Sequence, residues 1–271
     1  MFIKSIKNSF LYAFSFFAMY PIHFFNSTPS TNILAKKLAE DGAIHGTAVI
    51  AANQTEGRGR LGKSWFSAAG KGLYCSIIVR TRLAVEDYPK ITLAAGLGVA
   101  LAIDRLGGVR SQLKWPNDIF IGGKKCGGIL TESSALNEPV ERRYAVIGIG
   151  LNLGSALEDF PVDLRELATS LFIETGKSYD SQRVFTDIRD EVLRQLDVFY
   201  NNGFEPILAS WKTRDFVLGK EMECVSSEGE IITGVSLGPD AAGQLHVKAP
   251  DGRIHTVLSG DVRLAQINKS R

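Results

Sequence analysis

Asn53-Gln54-Thr55-Glu56-Gly57-Arg58-Gly59-Arg60-Leu61-Gly62-Lys63-Ser64-Trp65 sets three glycines among three cations. Gly57, Gly59 and Gly62 let the backbone turn sharply and present bare N–H groups, while Arg58, Arg60 and Lys63 supply positive charge. Such a stretch is a cradle for an anion. The two common nucleotide loops, the Walker loop and the dinucleotide fingerprint, run from a strand into a helix. Gly57-Arg58-Gly59-Arg60-Leu61-Gly62 satisfies the dinucleotide string, but Lys63-Ser64-Trp65-Phe66-Ser67 and further glycine follow with no helical periodicity, so that reading fails on its context. The stretch is not read as a Walker loop either, which needs Gly-x-x-x-x-Gly-Lys-Ser/Thr. A solvated basic loop is the competing reading of this string taken alone.

Working outward, 271 residues with 45% hydrophobic content can bury one good core and a small second one. A net charge of +2 is too small for a nucleic-acid coat or a polybasic membrane surface, so the loop cations act locally. Cys75, Cys126 and Cys224 are odd in number, far apart and without His at ligand spacing, which implies a reducing, cytoplasmic setting and no zinc. Ser9 to Phe25 carries no Asp, Glu, Lys or Arg after Lys4 and Lys7, but Pro21 and His23 interrupt it. It falls short of the roughly 20 apolar residues of a membrane helix, and no stable membrane partner is expected. Residues 1–19 are read as an extension of open role.

Before the loop, Tyr20–Phe25 reads as a strand, Ser30 as an N-cap, and Ile33, Leu34 and Leu38 as one face of a helix ending at Gly42. Thr47–Ala52 is a strand that delivers the chain into the cradle. After it, Leu73–Arg80 is a strand apolar enough to be buried on both faces, and Asp87–Leu106 a helix locally weakened by Gly96 and Gly98. Gln112–Trp115, Ile119–Ile121, Cys126–Glu132 and Tyr144–Asn152 read as strands, with a hairpin connection at Gly122-Gly123-Lys124-Lys125. A helix over Ser181–Tyr200 and further helical turns around Ile207, Leu208 and Trp211 complete the first domain, residues 20–214. Residues 215–271 then alternate short strands (Phe216–Val225, Glu230–Leu237, Gln244–Ala249, Arg253–Leu258) with turns, which indicates a small all-β barrel. No room precedes the first strand for a helix-turn-helix unit, and no nucleic-acid partner is expected.

Lys114-Trp115-Pro116-Asn117-Asp118 is a second stretch of interest. Pro116 holds the residue before it extended and Asn117-Asp118 turns the chain, so Lys114 projects from a rigid strand. Alone, this also reads as a surface hairpin. Gly127-Gly128 and Gly148-Ile149-Gly150 put glycine inside strands, a sign of close approach by a ligand or by another part of the chain.

Taken in order, Ser30-Thr31-Asn32, Gln54 with Gly57-Arg58-Gly59-Arg60-x-Gly62-x-x-Trp65, Lys114-Trp115-Pro116-Asn117-Asp118, Gly127-Gly128-Ile129-Leu130 and Gly148-x-Gly150-x-Asn152 resemble the motifs of biotin protein ligases, from about Pro21 to Arg263. The resemblance implies an α+β catalytic fold like that of class II aminoacyl-tRNA synthetases, with a C-terminal SH3-like barrel, in a form without the N-terminal DNA-binding domain. It implies biotin and ATP as substrates with Mg²⁺, a biotinyl-5′-AMP intermediate, and the lysine of a biotin carboxyl carrier protein domain as acceptor. Biotin would be held by Ser30, Thr31, Asn32, Gln54, Gly57, Arg58, Lys114, Gly127 and Gly128. ATP and the adenylate would be held by Arg58, Arg60, Lys63, Trp65, Lys114, Asn117 and Asn152, with Lys114, Arg58 and Arg60 catalytic and the loop acting as a lid. Oligomeric state stays open, a homodimer among the options.

The sequence departs from the family at Lys63, where arginine is usual, which keeps the charge and loses the bidentate fork. Two rivals remain. A lipoate or octanoate ligase would need a longer acyl tunnel and has different motifs, and a non-catalytic effector-binding protein would be favoured by loss of Lys114 or of the loop arginines, which are present.

Overall fold

The structure is a computed structural model that describes residues 20–264 except 82, 135–137 and 228, and all but the side chain of Val85. The expected extension 1–19 lies outside the described residues. Strands β1 (Ile22–Phe25), β2 (Ala48–Ala51), β3 (Gly72–Arg80), β4 (Gln112–Lys114), β5 (Asp118–Ile121), β6 (Lys124–Ser133) and β7 (Tyr144–Asn152) form one sheet in the order β1-β2-β3-β7-β6-β5-β4. Only β1 and β2 run parallel; the remaining neighbours are antiparallel, so the sheet is mixed, and with helices on both faces it gives the α+β fold expected.

Alternation along the strands divides the core in two. Ile77, Val79, Ala145, Ile147 and Ile149 point to one face, where α2 (Tyr88–Gly107), α4 (Ser181–Asn202) and α5 (Glu205–Lys212) cover them. Val49, Ile78, Tyr144 and Val146 point to the other and meet Ala35 and Ala39 of α1 (Thr31–Glu40). The continuous apolar run of β3 is therefore explained by helices on both sides. Each fully buried Leu or Ile contributes about 1.5–3 kcal/mol, and the larger α2–α4–α5 face carries most of this term. Gly98 has a packing reason: a Cβ there would lie 2.8 Å from Val192 Cα, so it allows α4 to approach α2. The local weakening expected at this glycine is offset by close helix–helix contact.

The C-terminal residues form a second sheet of β8 (Glu221–Ser226), β9 (Ile231–Pro239), β10 (Leu245–Lys248), β11 (Ile254–Val257) and β12 (Gly260–Leu264), in the order β11-β10-β9-β8-β12 and antiparallel throughout. Five antiparallel strands in this order are consistent with the SH3-like domain expected from the sequence, although among the described residues no ladder joins β11 to β12 to close the barrel. Two elements are additions. Ser259-Gly260-Asp261 has the composition of a turn yet opens β12, and α3 (Leu171–Thr175) is too short to show a helical period.

The two sheets meet at the end of β4. Leu113 accepts from Phe216 N and donates to Arg214 O, both at 2.8 Å, so the connecting segment adds to the edge of the first sheet. Asp215 lies in this crossing with one carboxylate oxygen accepting from Val217 N at 2.9 Å and the other buried without a partner among the described residues. Burial pushes its pKa from 3.8 up to about 6, against the pull of the Val217 and Leu218 N–H groups and of Lys220 and Lys212. A carboxyl raised on folding binds its proton more tightly in the folded state, so its stabilising contribution is complete below pH 3.8 and is lost as pH rises through about 6. Asp215→Asn should therefore gain on the order of 3 kcal/mol over the parent well above pH 6, with the difference vanishing near pH 4. Denaturant melts across that pH range measure it; parallel curves for the two proteins would refute it.

Candidate active site

The face of the first sheet that carries α1 is covered only in part. Beyond the N-terminus of α1 it is bare because three glycines turn toward it. A Cβ at Gly148 would sit 2.2 Å from Asn32 Oδ1, one at Gly150 would sit 2.5 Å from Trp65 Cε2, and one at Gly128 would sit 3.3 Å from Trp65 Cζ3. The Asn32 carboxamide and the Trp65 indole thus lie directly on the strands, which no other residue type permits.

The start of α1 is held over this floor by a buried relay. Ser30 has the extended N-cap conformation but its side chain makes no cap hydrogen bond. Gln54 does the capping instead, its Oε1 accepting from Thr31 N at 2.9 Å and Thr31 Oγ1 at 3.2 Å. Ser76, fully buried on β3, donates to Thr31 Oγ1 or Asn32 Oδ1 at 2.7 and 2.6 Å. Asn32 Nδ2 in turn donates to Leu130 O and to Glu132 Oε2 at 3.2 and 2.8 Å. Thr31, Asn32 and Gln54 are therefore fixed by protein partners, and Ser30 keeps its hydroxyl available at the positive end of the helix.

The cradle folds as a hairpin. Gly59 N donates to Lys63 O at 2.7 Å and Trp65 N to Gly57 O at 2.8 Å, around a 3₁₀ turn over Arg60–Gly62 with Leu61 at φ 53°. Contrary to the sequence reading, Gly57 to Ser64 does spell the Walker string Gly-x-x-x-x-Gly-Lys-Ser, but no helix begins there, so it is the structure that excludes a Walker loop. Arg60 Nη2 donates to Ser259 Oγ and Lys63 Nζ to Asp261 Oδ2, both at 2.6 Å, whereas exposed Arg58 pairs with no described residue.

Across the cleft, Lys114 Nζ lies 3.6 Å from Asp118 Oδ2 and 5.2 Å from the centre of the Phe120 ring. Lys125 Nζ lies 2.5 Å from Asp118 Oδ1 and 5.6 Å from the centre of the Trp65 ring. One carboxylate thus serves two lysines. Burial, above all, and the neighbouring Lys125 hold the Lys114 ammonium below its ordinary pKa, against the pull of Asp118. Desolvation also lowers Arg60 despite Asp118 and Asp261. The lining counts five cations (Arg58, Arg60, Lys63, Lys114, Lys125) against two carboxylates (Asp118, Asp261).

Most residues expected from the sequence come together here: Ser30, Thr31, Asn32, Gln54, Arg58, Arg60, Lys63, Trp65, Lys114, Asn117 and Gly128 line one hollow. Three do not. Gly127, next to Gly128 on β6, faces the other way toward Leu151; Gly57 lies beneath the Trp65 carbonyl; Asn152 gives its amide to Thr169 O at 2.9 Å. Asn117 Nδ2 donates to Ile129 O at 2.7 Å, which pins the turn after Lys114. Lys125, Ser76 and Asp261 were not foreseen as site residues. Simple alternation gives Lys125 the facing of Gly127, away from the cleft. It reaches the cleft because the β5–β6 register shifts between Ile119 and Phe120 and sets it opposite Phe120, which nothing in the sequence marked, and Ser76 and Asp261 had no signal either.

Residues 24–152 match the Biotin/lipoate A/B protein ligase family. Over 235 residues the chain is 36% identical to the bifunctional ligase/repressor BirA of Bacillus spizizenii, spanning 87% of this chain and 71% of that one. It is 32% identical over 243 residues to biotin–[acetyl-CoA-carboxylase] ligase of Mycobacterium tuberculosis, spanning 87% of this chain and 85% of that one. The chain belongs to the biotin protein ligase family. The fold agrees: biotin protein ligase from Aquifex aeolicus in complex with biotin and ATP superposes with a TM-score of 0.78 at 28% identity, covering 90% of this chain and 99% of that one.

For a biotin protein ligase the hollow described above is small. It measures about 130 Å³, against roughly 300–1,000 Å³ for an ordinary ligand pocket, and opens beside a second hollow of about 710 Å³ bordered by the same loop. The Trp65 indole takes up the missing room, with its Nε1 buried and unpaired among the described residues. An unmet buried donor costs about 1–3 kcal/mol, so this placement is easily given up to a ligand. Gly150→Ala should push the indole off the sheet in the unliganded protein and shift its emission to the red. Trp115 and Trp211 are buried and serve as a constant background, and subtraction of a Trp65→Phe spectrum isolates the signal. An unchanged spectrum would rule out this packing.

Proposed function

We propose that the chain joins biotin to ATP, forming biotinyl-5′-AMP and pyrophosphate, and passes the biotinyl group to a lysine of a biotin carboxyl carrier domain. Family membership supports the ligase chemistry, and the relatives above carry that activity in their names. The observation that carries the reading is the surplus of cations facing a bare glycine floor beside a helix N-terminus. A neutral, flat ring system fits the floor, and an anionic tail joined to a polyphosphate fits the charge.

In the first step a biotin carboxylate oxygen attacks the α-phosphorus, the bond from that phosphorus to the bridging oxygen breaks, and pyrophosphate leaves. Two anions must meet, and preformed cations in a cleft shielded from water lower that barrier. Lys114, on the strand end, and Arg58, free of other partners, are assigned to the biotin carboxylate and the α-phosphate. Lys125 stands on the opposite side of Asp118 and extends the same charge toward the carboxylate. An arriving anion also offsets the desolvation that lowers Lys114. Ser30 is assigned to the polar edge of the ring, with Thr31, Asn32 and Gln54 fixing its position. Arg60 and Lys63 act on phosphate from the loop tip, Trp65 covers the ring, and Asn117 holds the turn behind Lys114. Asn152 acts from behind the cleft, through the segment ending at Thr169.

Mg²⁺ enters with the phosphates of ATP; among the described residues no cluster of His, Cys, Asp or Glu gathers for a metal. In the second step the acceptor lysine, as the free amine, attacks the carbonyl carbon of the adenylate. AMP departs, and the new amide nitrogen loses a proton. We read residues 20–214 as the domain that holds both substrates and 215–271 as a small domain beside it, a division supported by the separate second sheet.

Purified protein with biotin, ATP and Mg²⁺ should release pyrophosphate only when biotin is present, and then biotinylate a carrier domain. Lys114→Ala should lower adenylate formation by on the order of 10²–10³-fold. Release driven by lipoate or octanoate would overturn the choice of acid, and biotin binding without pyrophosphate would overturn the enzyme reading.

A further inference from the structure

The loop tip rests on the small C-terminal sheet. Two of its cations, three residues apart, reach two residues of one short segment: Arg60 Nη2 to Ser259 Oγ and Lys63 Nζ to Asp261 Oδ2, each at 2.6 Å. That segment is rigid. A Cβ at Gly260 would meet Val225 O at 2.6 Å, so β12 lies flush against β8 there, and Ser259 O accepts from Ser227 N at 3.0 Å. Val262 is buried beneath it while Asp261 alternates to the cleft side. The sheet is itself tied to the Lys114 motif, because buried Trp115 donates its Nε1 to Gly243 O at 3.0 Å.

Among the described residues Asp261 has no other strong partner. Arg263 Nη2 stands 3.7 Å away, and burial of the carboxyl, which works against its charge, is more than offset by Lys63, then Lys114 and Arg263, so its pKa lies below the ordinary range. Arg58, by contrast, is left without any such tie. The small sheet thus ties down the two outer cations of the loop, fixing where they present charge to phosphate, and leaves the side chain of the inner one untied.

We infer that Ser259 and Asp261 are positioning residues that latch the Arg60–Lys63 loop tip over the cleft, so that the C-terminal sheet retains the adenylate until the acceptor lysine arrives. This rests on the adenylate reading given above. The latch is suited to repeated opening: the Lys63–Asp261 pair is partly exposed, and such pairs hold only weakly and weaken with salt.

The test is the partition of adenylate. Enzyme is loaded with biotin and ATP, and the rate at which biotinyl-5′-AMP escapes into solution is compared with its transfer to a carrier domain. Asp261→Asn should raise escape roughly 2- to 5-fold, and Ser259→Ala with Asp261→Asn roughly 10-fold or more, with the biotin-dependent pyrophosphate burst largely kept. Escape from the parent should rise with ionic strength, and that dependence should flatten in Asp261→Asn. Circular dichroism and melting curves identify any variant that fails to fold, and Ser259→Ala alone, which removes only a hydroxyl, then carries the test. Unchanged escape in folded variants, or a salt dependence of escape that stays as steep in Asp261→Asn as in the parent, would overturn the latch. Absence of any biotin-dependent pyrophosphate from the parent would instead strike the adenylate reading itself.

Discussion

The bare face of the first sheet depends on the absence of three side chains. At Gly148 and Gly150 any Cβ would collide with the carboxamide or indole that lies there, and at Gly128 it would crowd the indole at 3.3 Å. Because alternation is strict, the same strands that expose glycine on this face bury Ile147, Ile149 and Ile129 on the other. The dry α2–α4–α5 layer and the open floor are therefore two sides of one pattern. A slip of one residue in the pairing of β6 with β7 would bury the glycines and bring isoleucines into the cleft. The α1 helix completes the arrangement: its apolar stripe meets only β2, β3 and β7, so its N-terminus stops at the edge of the floor, with Gln54 in place of a serine cap.

Electrostatics then decides what the floor is for. Five cations and two carboxylates share one hollow, and the partly buried members are held there against desolvation. An uncompensated buried cation is costly, and proteins rarely keep one unless a partner will come. Asp118 is arranged to make the cost tolerable while the cleft is empty, lying between Lys114 and Lys125. It neutralises one charge and leaves the other as attraction for an anion. The helix end adds to the same field without adding charge, through N–H groups that point outward past Ser30.

Much of this was legible in the sequence, for identifiable reasons. Strand β7 was read with its observed limits, and β3 within one residue of them, because their apolar runs are long and bounded by charge. The glycine and cation spacing from Gly57 to Lys63, the rigid strand end at Lys114 and the strand glycines pointed to a ligand, and in the structure they do converge. What was not legible depends on facing and on contacts between distant segments. Gly127 and Gly128 look alike in a string, but only one faces the cleft. Thr31, Asn32 and Gln54 read as free hydrogen-bonding groups and prove to be bonded to one another and to Ser76, which sits inside an apolar strand with nothing to mark it. The fifth strand of the small sheet was hidden because its first residues have turn composition, and with it went the meeting of Asp261 and Lys63, 198 positions apart in sequence.

That long-range meeting bears on the one visible departure from the family. An arginine at position 63 would offer a planar fork, matched to a phosphate or to both oxygens of a carboxylate. The lysine present here offers a point charge on a flexible stem, and its single contact is with one oxygen of Asp261. A point contact tolerates small shifts of the loop tip that a bidentate pair would resist. With the tip held loosely at Lys63 and more firmly by the charge-assisted bond from Arg60 to Ser259, rotation about the Arg60 end is the motion of lowest cost. Trp65, two residues beyond Lys63, lies at the base of this hairpin with its backbone N–H on Gly57 O, and it is the side chain whose placement on the glycines leaves a buried N–H unmet among the described residues. The weak end of the latch and the group that has to leave the floor are thus next to each other, on the same strand of the loop.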